Sequence, residues 1–341
     1  MKIISIGSLT QIIKIHGLEN FFNDLMARLK TDYGRWEEFN KMPRPAMYVP
    51  NGVHELMPTC DGKYYTFKYV NCHPKNPDKK KMTIVATGQL SESDTGYPLM
   101  FSEMTLLTAL RTAANTALAT DFMARKNSTV LAIIGTGAQS EFLVLALSLV
   151  RDIKEVRHFD IDNCAMGKFR INFINTSATV RFVRCTSAEE AVRGADIVTT
   201  CTAYKGRVEV IKNEWIMPGT HINGIGGDAP GKTELDFEIV KRSHIVVEYF
   251  DQAVLEGEIQ GYSKEEAKAK VHAELYEVIT GKKKGRVSQH EITLFDSVGI
   301  GLEDFSALLL TYELSEKYGI GEEMDLIPDL ENPKDLISLI M

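Results

Sequence analysis

The apolar pattern of this chain changes period near residue 120. Before that point, helical spacing from Leu18 to Leu29 gives way to strand-like stretches at RPAMYVP, Tyr64 to Val70 and MTIVATGQL. The last stretch runs through Asp94-Thr95-Gly96 into YPLMF, a pattern that predicts a hairpin. A helix on an antiparallel sheet is therefore expected for the first part of the chain. A further helix is expected to start near Ser102, with that serine as N-cap and Glu103 in the first turn. From Val130 onward, TVLAIIG, EVRHFD, VRFV, DIVTTC, HINGI and HIVVEY alternate with helical segments. Apolar strands alternating with helices predict a parallel sheet buried on both faces. After Gly299, LEDFSALLLTYELSEKYG reads as a long amphipathic helix that returns to the first part. The expected division places an α/β domain over residues 121–309, inserted into an α+β domain built from residues 1–120 and 310–341.

Composition narrows the function without changing the fold. The 341 residues suffice for two cores. A net charge of −7 supplies no basic excess to neutralise phosphates, which argues against nucleic-acid and anionic-membrane partners. The one basic run, Lys282 to Lys284 in GKKKGR, reads as a solvated loop. The five cysteines (Cys60, Cys72, Cys164, Cys185, Cys201) are scattered without CxxC spacing. That pattern suits reduced thiols rather than a disulfide framework or a zinc site, and no metal is expected. The N-terminal MKIISIGSLTQ is too short for a signal peptide, and no apolar run reaches the roughly 18 residues of a membrane span. A soluble, cytoplasmic protein is expected.

The strand TVLAIIG runs into Gly135-Thr136-Gly137-Ala138-Gln139-Ser140 and then a helix. Glycines at such a turn let the backbone approach a pyrophosphate, whose charge the helix N-terminus holds. Ser140 occupies the third position instead of Gly or Ala, so a tight turn without ligand is the competing interpretation. The setting favours the nucleotide: Asp160 closes the next strand about 25 residues after Gly135, near the spacing expected of the ribose-binding acid. No Arg or Lys follows Asp160 directly, which favours NAD over NADP. The second domain is thus expected to be of Rossmann type.

Several charged residues interrupt apolar patterns. Lys68 shares a strand face with Thr66 and Val70, facing either solvent or a site. Arg111 breaks the helical stripe Leu107, Arg111, Ala114, Leu118, and a buried arginine needs an anionic partner, either structural or a ligand. Arg44, in MPRPAMYV, is a third cation, which by itself reads as a surface residue. Asp228, in HINGIGGDAPGKTELD, lies just past the end of a predicted parallel strand, where open α/β sheets bind ligands. It is either a turn former or an acid/base group. Lys232 lies close enough to reach a nucleotide or to cap the loop.

The stretches HELMP from His54, FKYVNCHP from Phe67, TGYPLMFSE, ALRTAA around Arg111, IGTGAQSEF, GGDAPGKTEL, LEGEIQ and FDSVGIGLED occur in order along nearly the whole chain. On these the sequence resembles the ornithine cyclodeaminase/μ-crystallin family. Cys72 stands where a glycine is common in that family, and Ala229 where a cysteine is common.

The resemblance implies NAD-dependent conversion of L-ornithine to L-proline and ammonia, with the α+β domain binding substrate and forming a homodimer through its sheet. By matching positions, Arg44, Lys68 and Arg111 would bind the substrate carboxylate and Glu55 the δ-ammonium group. Asp228 would accept and donate protons at the amino groups. Thr83, Arg111, Thr112, Gly135, Gly137, Ala138, Gln139, Asp160, Thr202, Asn223, Gly224, Ile225 and Lys232 would line the nucleotide. Ser297 and Val298 would flank nicotinamide and substrate. A neutral α-amine is required for hydride to leave Cα, which is why a base is needed; the imine is then closed by the δ-amine, and the hydride returns. The alternatives are a lysine cyclodeaminase, an alanine dehydrogenase or cyclic-imine reductase, and a crystallin-type nucleotide-binding protein without activity. Glu55 argues against one-amine substrates, while one extra methylene separates lysine from ornithine by only about 1–3 kcal/mol.

Overall fold

The computed structural model describes residues 1–174, 179–203 and 206–341. The chain opens with β1 (Lys2–Ile4), α1 (Ile6–His16) and α2 (Leu18–Gly34). Five strands follow: β2 (Ala46–Val49), β3 (Gly52–Cys60), β4 (Tyr64–Cys72), β5 (Ile84–Glu92) and β6 (Pro98–Glu103). With β17 (Glu322–Glu323) from the far end of the chain, they form a seven-stranded sheet ordered β17-β1-β6-β5-β4-β3-β2. It is antiparallel except for the β1–β6 pair. Asp94-Thr95-Gly96 makes the turn between β5 and β6, with Gly96 at φ 75°.

Helix α3 (Thr105–Met123) starts two residues later than a Ser102 N-cap would place it. Ser102 is the penultimate residue of β6, so it cannot serve as N-cap. Glu103 does that work instead, its carboxylate accepting the N–H groups of Thr105 and Leu106. A carboxylate there also complements the positive end of the helix.

Beyond α3 come β7 (Val130–Ile134), α4 (Ser140–Val150), β8 (Glu155–Phe159), α5 (Asn163–Phe173), β9 (Arg181–Arg184), α6 (Ala188–Val192) and β10 (Ile197–Thr200). Next are β11 (Arg207–Ile211), β12 (His221–Gly224), β13 (Thr233–Leu235), α7 (Phe237–Arg242), β14 (His244–Val247) and α8 (Phe250–Glu256). The chain continues through α9 (Lys264–Lys270), β15 (Val271–Glu274), α10 (Leu275–Ile279), β16 (Thr293–Asp296) and α11 (Gly301–Tyr318). The eight-stranded sheet runs β15-β14-β16-β12-β10-β7-β8-β9, every pair parallel. Strands β11 and β13 pair separately.

Side-chain alternation in β7 shows how the layers join. Leu131 and Ile133 enter one core shared with α2, α3 and α11, while Ala132 and Ile134 enter a second core on the opposite face. Both faces are dry, as the near-continuous apolar strands require. Helix α11 packs on α2, α3 and β4 of the first sheet and runs unbroken through residues 309 and 310. The two sheets are therefore tied by one continuous core, and the cleft between them is rigidly framed.

Candidate active site

Strand order reverses between β7 and β10: β8 and β9 extend one side, β10 and β12 the other. A crevice opens at such a switch point, beyond the carboxyl ends of the strands. Gly135 follows β7 with φ 97°, and a Cβ there would lie 2.8 Å from the Cys201 carbonyl oxygen. Only glycine lets the loops after β7 and β10 touch. At Gly137 an added Cβ would meet nothing within 4 Å, and Gly137 and Ala138 are exposed. The turn is thus open on the side where backbone must approach a phosphate. Ser140 is fully buried and its hydroxyl donates to the Gly137 carbonyl at 2.9 Å, so it closes the turn in place of a third glycine. The Gln139 amide is turned away onto the Ala109 carbonyl at 2.9 Å, leaving α4 without a side-chain cap. These residues fit a dinucleotide pyrophosphate.

Asp160 directly follows β8. Its carboxylate accepts the Thr136 N–H at 2.6 Å and hydroxyl at 3.2 Å, and the Asp162 N–H at 2.9 Å. Thr202, past β10, donates its N–H and hydroxyl to Glu234 at 2.7 and 2.5 Å. The Asn223 side chain is fully buried and donates to the hydroxyls of Thr120 (3.2 Å) and Thr199 (3.1 Å), so it braces β12 against α3 and β10. Gly224 accepts the Ser297 N–H at 3.0 Å, and Ile225 donates to the Thr200 carbonyl at 3.1 Å. Thr112 lies on α3, half-buried; Thr83 precedes β5, its carbonyl accepting the His73 N–H at 2.8 Å.

The charged residues converge on the cleft next to this crevice. Arg44 is buried, not a surface residue. Its guanidinium contacts Glu256 at 2.5 Å and Glu55 at 3.3 Å, and donates to the carbonyls of Val298 at 3.0 Å and Asp228 at 3.3 Å. Asp228 accepts from Lys232 at 2.8 Å and keeps about a third of its side chain exposed. Lys68 points inward from β4 and donates to Asp304 at 2.9 Å. Arg111 donates to that same Asp304 oxygen at 3.0 Å and to Glu303 at 2.6 Å.

Electrostatics link these contacts into one site. Burial pushes the Lys68 ammonium down to about 8; Arg111 and Arg44 add to the effect and Asp304 opposes it. Burial likewise opposes charge on Arg44, but Glu55, Glu256 and Asp228 outweigh it and raise its pKa. Burial raises Glu55, as do Glu256 and Asp228, while Arg44 and Lys68 pull it down. Cations and carboxylates thus interleave in one largely buried cluster. Such a place suits a small molecule carrying both signs of charge.

The sequence profile of the ornithine cyclodeaminase/mu-crystallin family matches residues 9–318. The chain belongs to that family. It is 45% identical over 338 residues to an ornithine cyclodeaminase from Agrobacterium fabrum, covering 99% of this chain and 94% of that one. An archaeal alanine dehydrogenase dimer solved with bound NAD superposes with a TM-score of 0.88 at 34% identity, covering 96% of this chain and 99% of that one. A lysine cyclodeaminase, solved for its recognition of L-lysine, L-ornithine and L-2,4-diaminobutyric acid, superposes with a TM-score of 0.89 at 27% identity over 98% of each chain. The Rossmann-type parallel sheet beside an α+β layer is the fold that these family members share.

The structure brings Arg44, Glu55, Lys68, Arg111, Asp228, Lys232 and Val298 into one cleft, and Gly135, Gly137, Ala138, Gln139, Asp160 and Thr202 around the adjoining crevice. Sequence reasoning missed the acids that contact the cations: Glu256 at Arg44, Glu303 at Arg111, and Asp304 at both Arg111 and Lys68. A signal existed for the last two. Helix α11 buries both within a stretch that is enclosed all round, beside Leu302, Phe305, Ala307 and Leu308, and buried acids imply buried cations.

Proposed function

We propose that this chain converts L-ornithine to L-proline and ammonia, with NAD as a recycled cofactor. The observation that carries the reading is the Arg44 guanidinium, which touches both Glu55 and the Asp228 backbone in a cleft that Lys68 and Arg111 also face. Lys68 and Arg111 offer cations to an α-carboxylate, Glu55 offers an anion to a second ammonium group, and Arg44 is within reach of both sets. A one-amine substrate would leave Glu55 facing Arg44 alone. The likeness to ornithine cyclodeaminase over almost the whole chain supports the same reading.

Lys68, Arg111 and Arg44 orient the carboxylate, the guanidinium forks matching its plane. Glu55 holds the δ-ammonium so that its nitrogen lies within reach of Cα. Asp228, with Lys232 on one oxygen, takes a proton from the α-ammonium and returns it to the departing ammonia. When bound, NAD supplies hydride removal from Cα and its return, so nothing is oxidised overall. Asp160 stands at the crevice edge to bind the adenine ribose, and Ser297 and Val298 flank nicotinamide and substrate. Thr83, Thr112, Asn223, Gly224, Ile225 and Lys232 complete the nucleotide lining.

The same reading divides the chain into a Rossmann-type NAD domain and a substrate domain that carries the first sheet. The exposed Leu56, Tyr65 and Val85 on that sheet support a homodimer built through it. The five scattered cysteines, odd in number and without CxxC spacing, support a cytoplasmic setting. The test of the substrate assignment is Glu55→Gln. We expect KM for ornithine to rise at least about tenfold with the NAD dissociation constant kept. An unaltered KM would mean that the second amine binds elsewhere.

A further inference from the structure

Behind the cation cleft, two buried acids meet: Glu248 from HIVVEY and Glu303 from FDSVGIGLED. Glu248 directly follows β14 and Glu303 lies in the first turn of α11. Glu248 Oε1 accepts from the Asn115 amide at 2.9 Å and the Ser297 hydroxyl at 2.5 Å. Its Oε2 accepts the N–H groups of Val298 at 3.0 Å and Gly299 at 2.6 Å. The next N–H along the chain, that of Ile300, goes to Glu303 Oε1 at 3.3 Å. Consecutive amides thus hold the two carboxyl groups side by side, within hydrogen-bonding reach and fully enclosed.

We propose that Glu303 is held as the neutral acid by the Glu248 carboxylate, and that this sets the charge of the pocket that receives the substrate carboxylate. Two like charges in contact in a dry interior cannot both persist. Four donors already point at the Glu248 oxygens, so the proton between the two groups is placed on Glu303. The groups facing Glu303 are Arg111 from α3, Tyr33 from α2, Glu248 and its own neighbour Asp304. Burial, Glu248 and Asp304 push Glu303 well above the usual carboxylate range, against the pull of Arg111. With Glu303 neutral, Lys68 and Arg111 share a single anion, Asp304, and both donate to the same oxygen. Among the groups that touch Lys68 and Arg111, one positive charge is left for an incoming carboxylate; the Glu248 anion lies behind them on four donors of its own. With Glu303 ionised, the pair of cations would be fully neutralised before any substrate arrived. Glu303 is therefore a positioning residue that acts through Arg111.

The charge state of Glu303 stands independently of the reaction assigned above; its effect on KM rests on that reading. Infrared difference spectra of the holoprotein near neutral pH, wild type minus Glu303→Gln, test the first directly. A protonated-carboxyl C=O band absent from the variant is expected, and carboxylate bands in its place overturn the proposal. In kinetics, Glu303→Gln, which mimics the neutral acid, should hold KM for ornithine within about threefold. Glu248→Gln should let Glu303 ionise and raise KM about tenfold or more with a smaller change in kcat. Adding Glu303→Gln to that variant should bring KM back. Failure of that rescue overturns the charge-setting role. Should ornithine not be turned over at all while the carboxyl band is present, the functional reading fails and the protonation of Glu303 stands.

Discussion

Lys68 is enclosed on every side, yet the anion it touches, Asp304, is shared with Arg111. Its pKa of about 8 lies inside the working range of most enzymes, so the carboxylate pocket should titrate. We expect kcat/KM for ornithine to fall above about pH 8, and Lys68→Arg to move that limb upward. An unmoved limb would assign it to another group. The stability effect has its own sign. The unfolded chain holds the extra proton between about pH 8 and 10.5, so the Lys68 contribution to stability grows as pH rises through that window. At Asp228, the acid/base role predicts that Asp228→Asn lowers kcat by at least about a hundredfold while NAD affinity stays within about threefold. Retained turnover would remove that role. Lys68 and Arg111 were legible from sequence because each interrupts a regular pattern, whereas Arg44 by itself reads as a surface residue and is picked out only by the family resemblance. Their partners were not: Lys68 and Asp304 lie 236 residues apart, and Arg44 and Glu256 212 apart, separations across which local pattern carries no pairing information.

Elements were legible where period and turn chemistry agreed. The hairpin at Asp94-Thr95-Gly96 and strands β7, β8, β9, β10, β12 and β14 follow from alternation and apolar runs. Short elements such as β1 and β13 lack enough residues to show a period, and α3 starts late because a carboxylate, not Ser102, caps it. Two glycines of one turn give opposite predictions. Gly135→Ala should lower the melting temperature, since φ 97° and the Cys201 carbonyl at 2.8 Å leave no room. Gly137→Ala should leave melting of the cofactor-free protein unaltered but weaken NAD at least about tenfold, because its Cβ points into the open crevice. Equal effects on melting would contradict this reading of the turn. On β8, His158 packs against Phe169 with ring centroids 4.6 Å apart, and burial pushes it down to about 4. The unfolded chain takes up that proton first, so stability should be lost as pH falls from 6.5 toward 4. A thermal-melt comparison with His158→Phe should show a shallower acid loss in the variant, and parallel curves would exclude His158 as the cause.

At the scale of the whole molecule, two sheets from distant parts of the chain meet through one core that spans α2, α3, α4 and α11. That joint places the cation cleft against the nucleotide crevice, with α3 lending Arg111 to the cleft and packing on α4 at the crevice. Neither half of the sequence contains the site alone. The central claim is that hydride taken at Cα is given back within the same cycle. Incubating the purified protein with L-ornithine and NAD, while following proline and ammonia by NMR and NADH by absorbance, tests it directly. Proline and ammonia in equal amounts without NADH build-up is the predicted result. NADH accumulating in step with ammonia would contradict it and make the protein an amino-acid dehydrogenase.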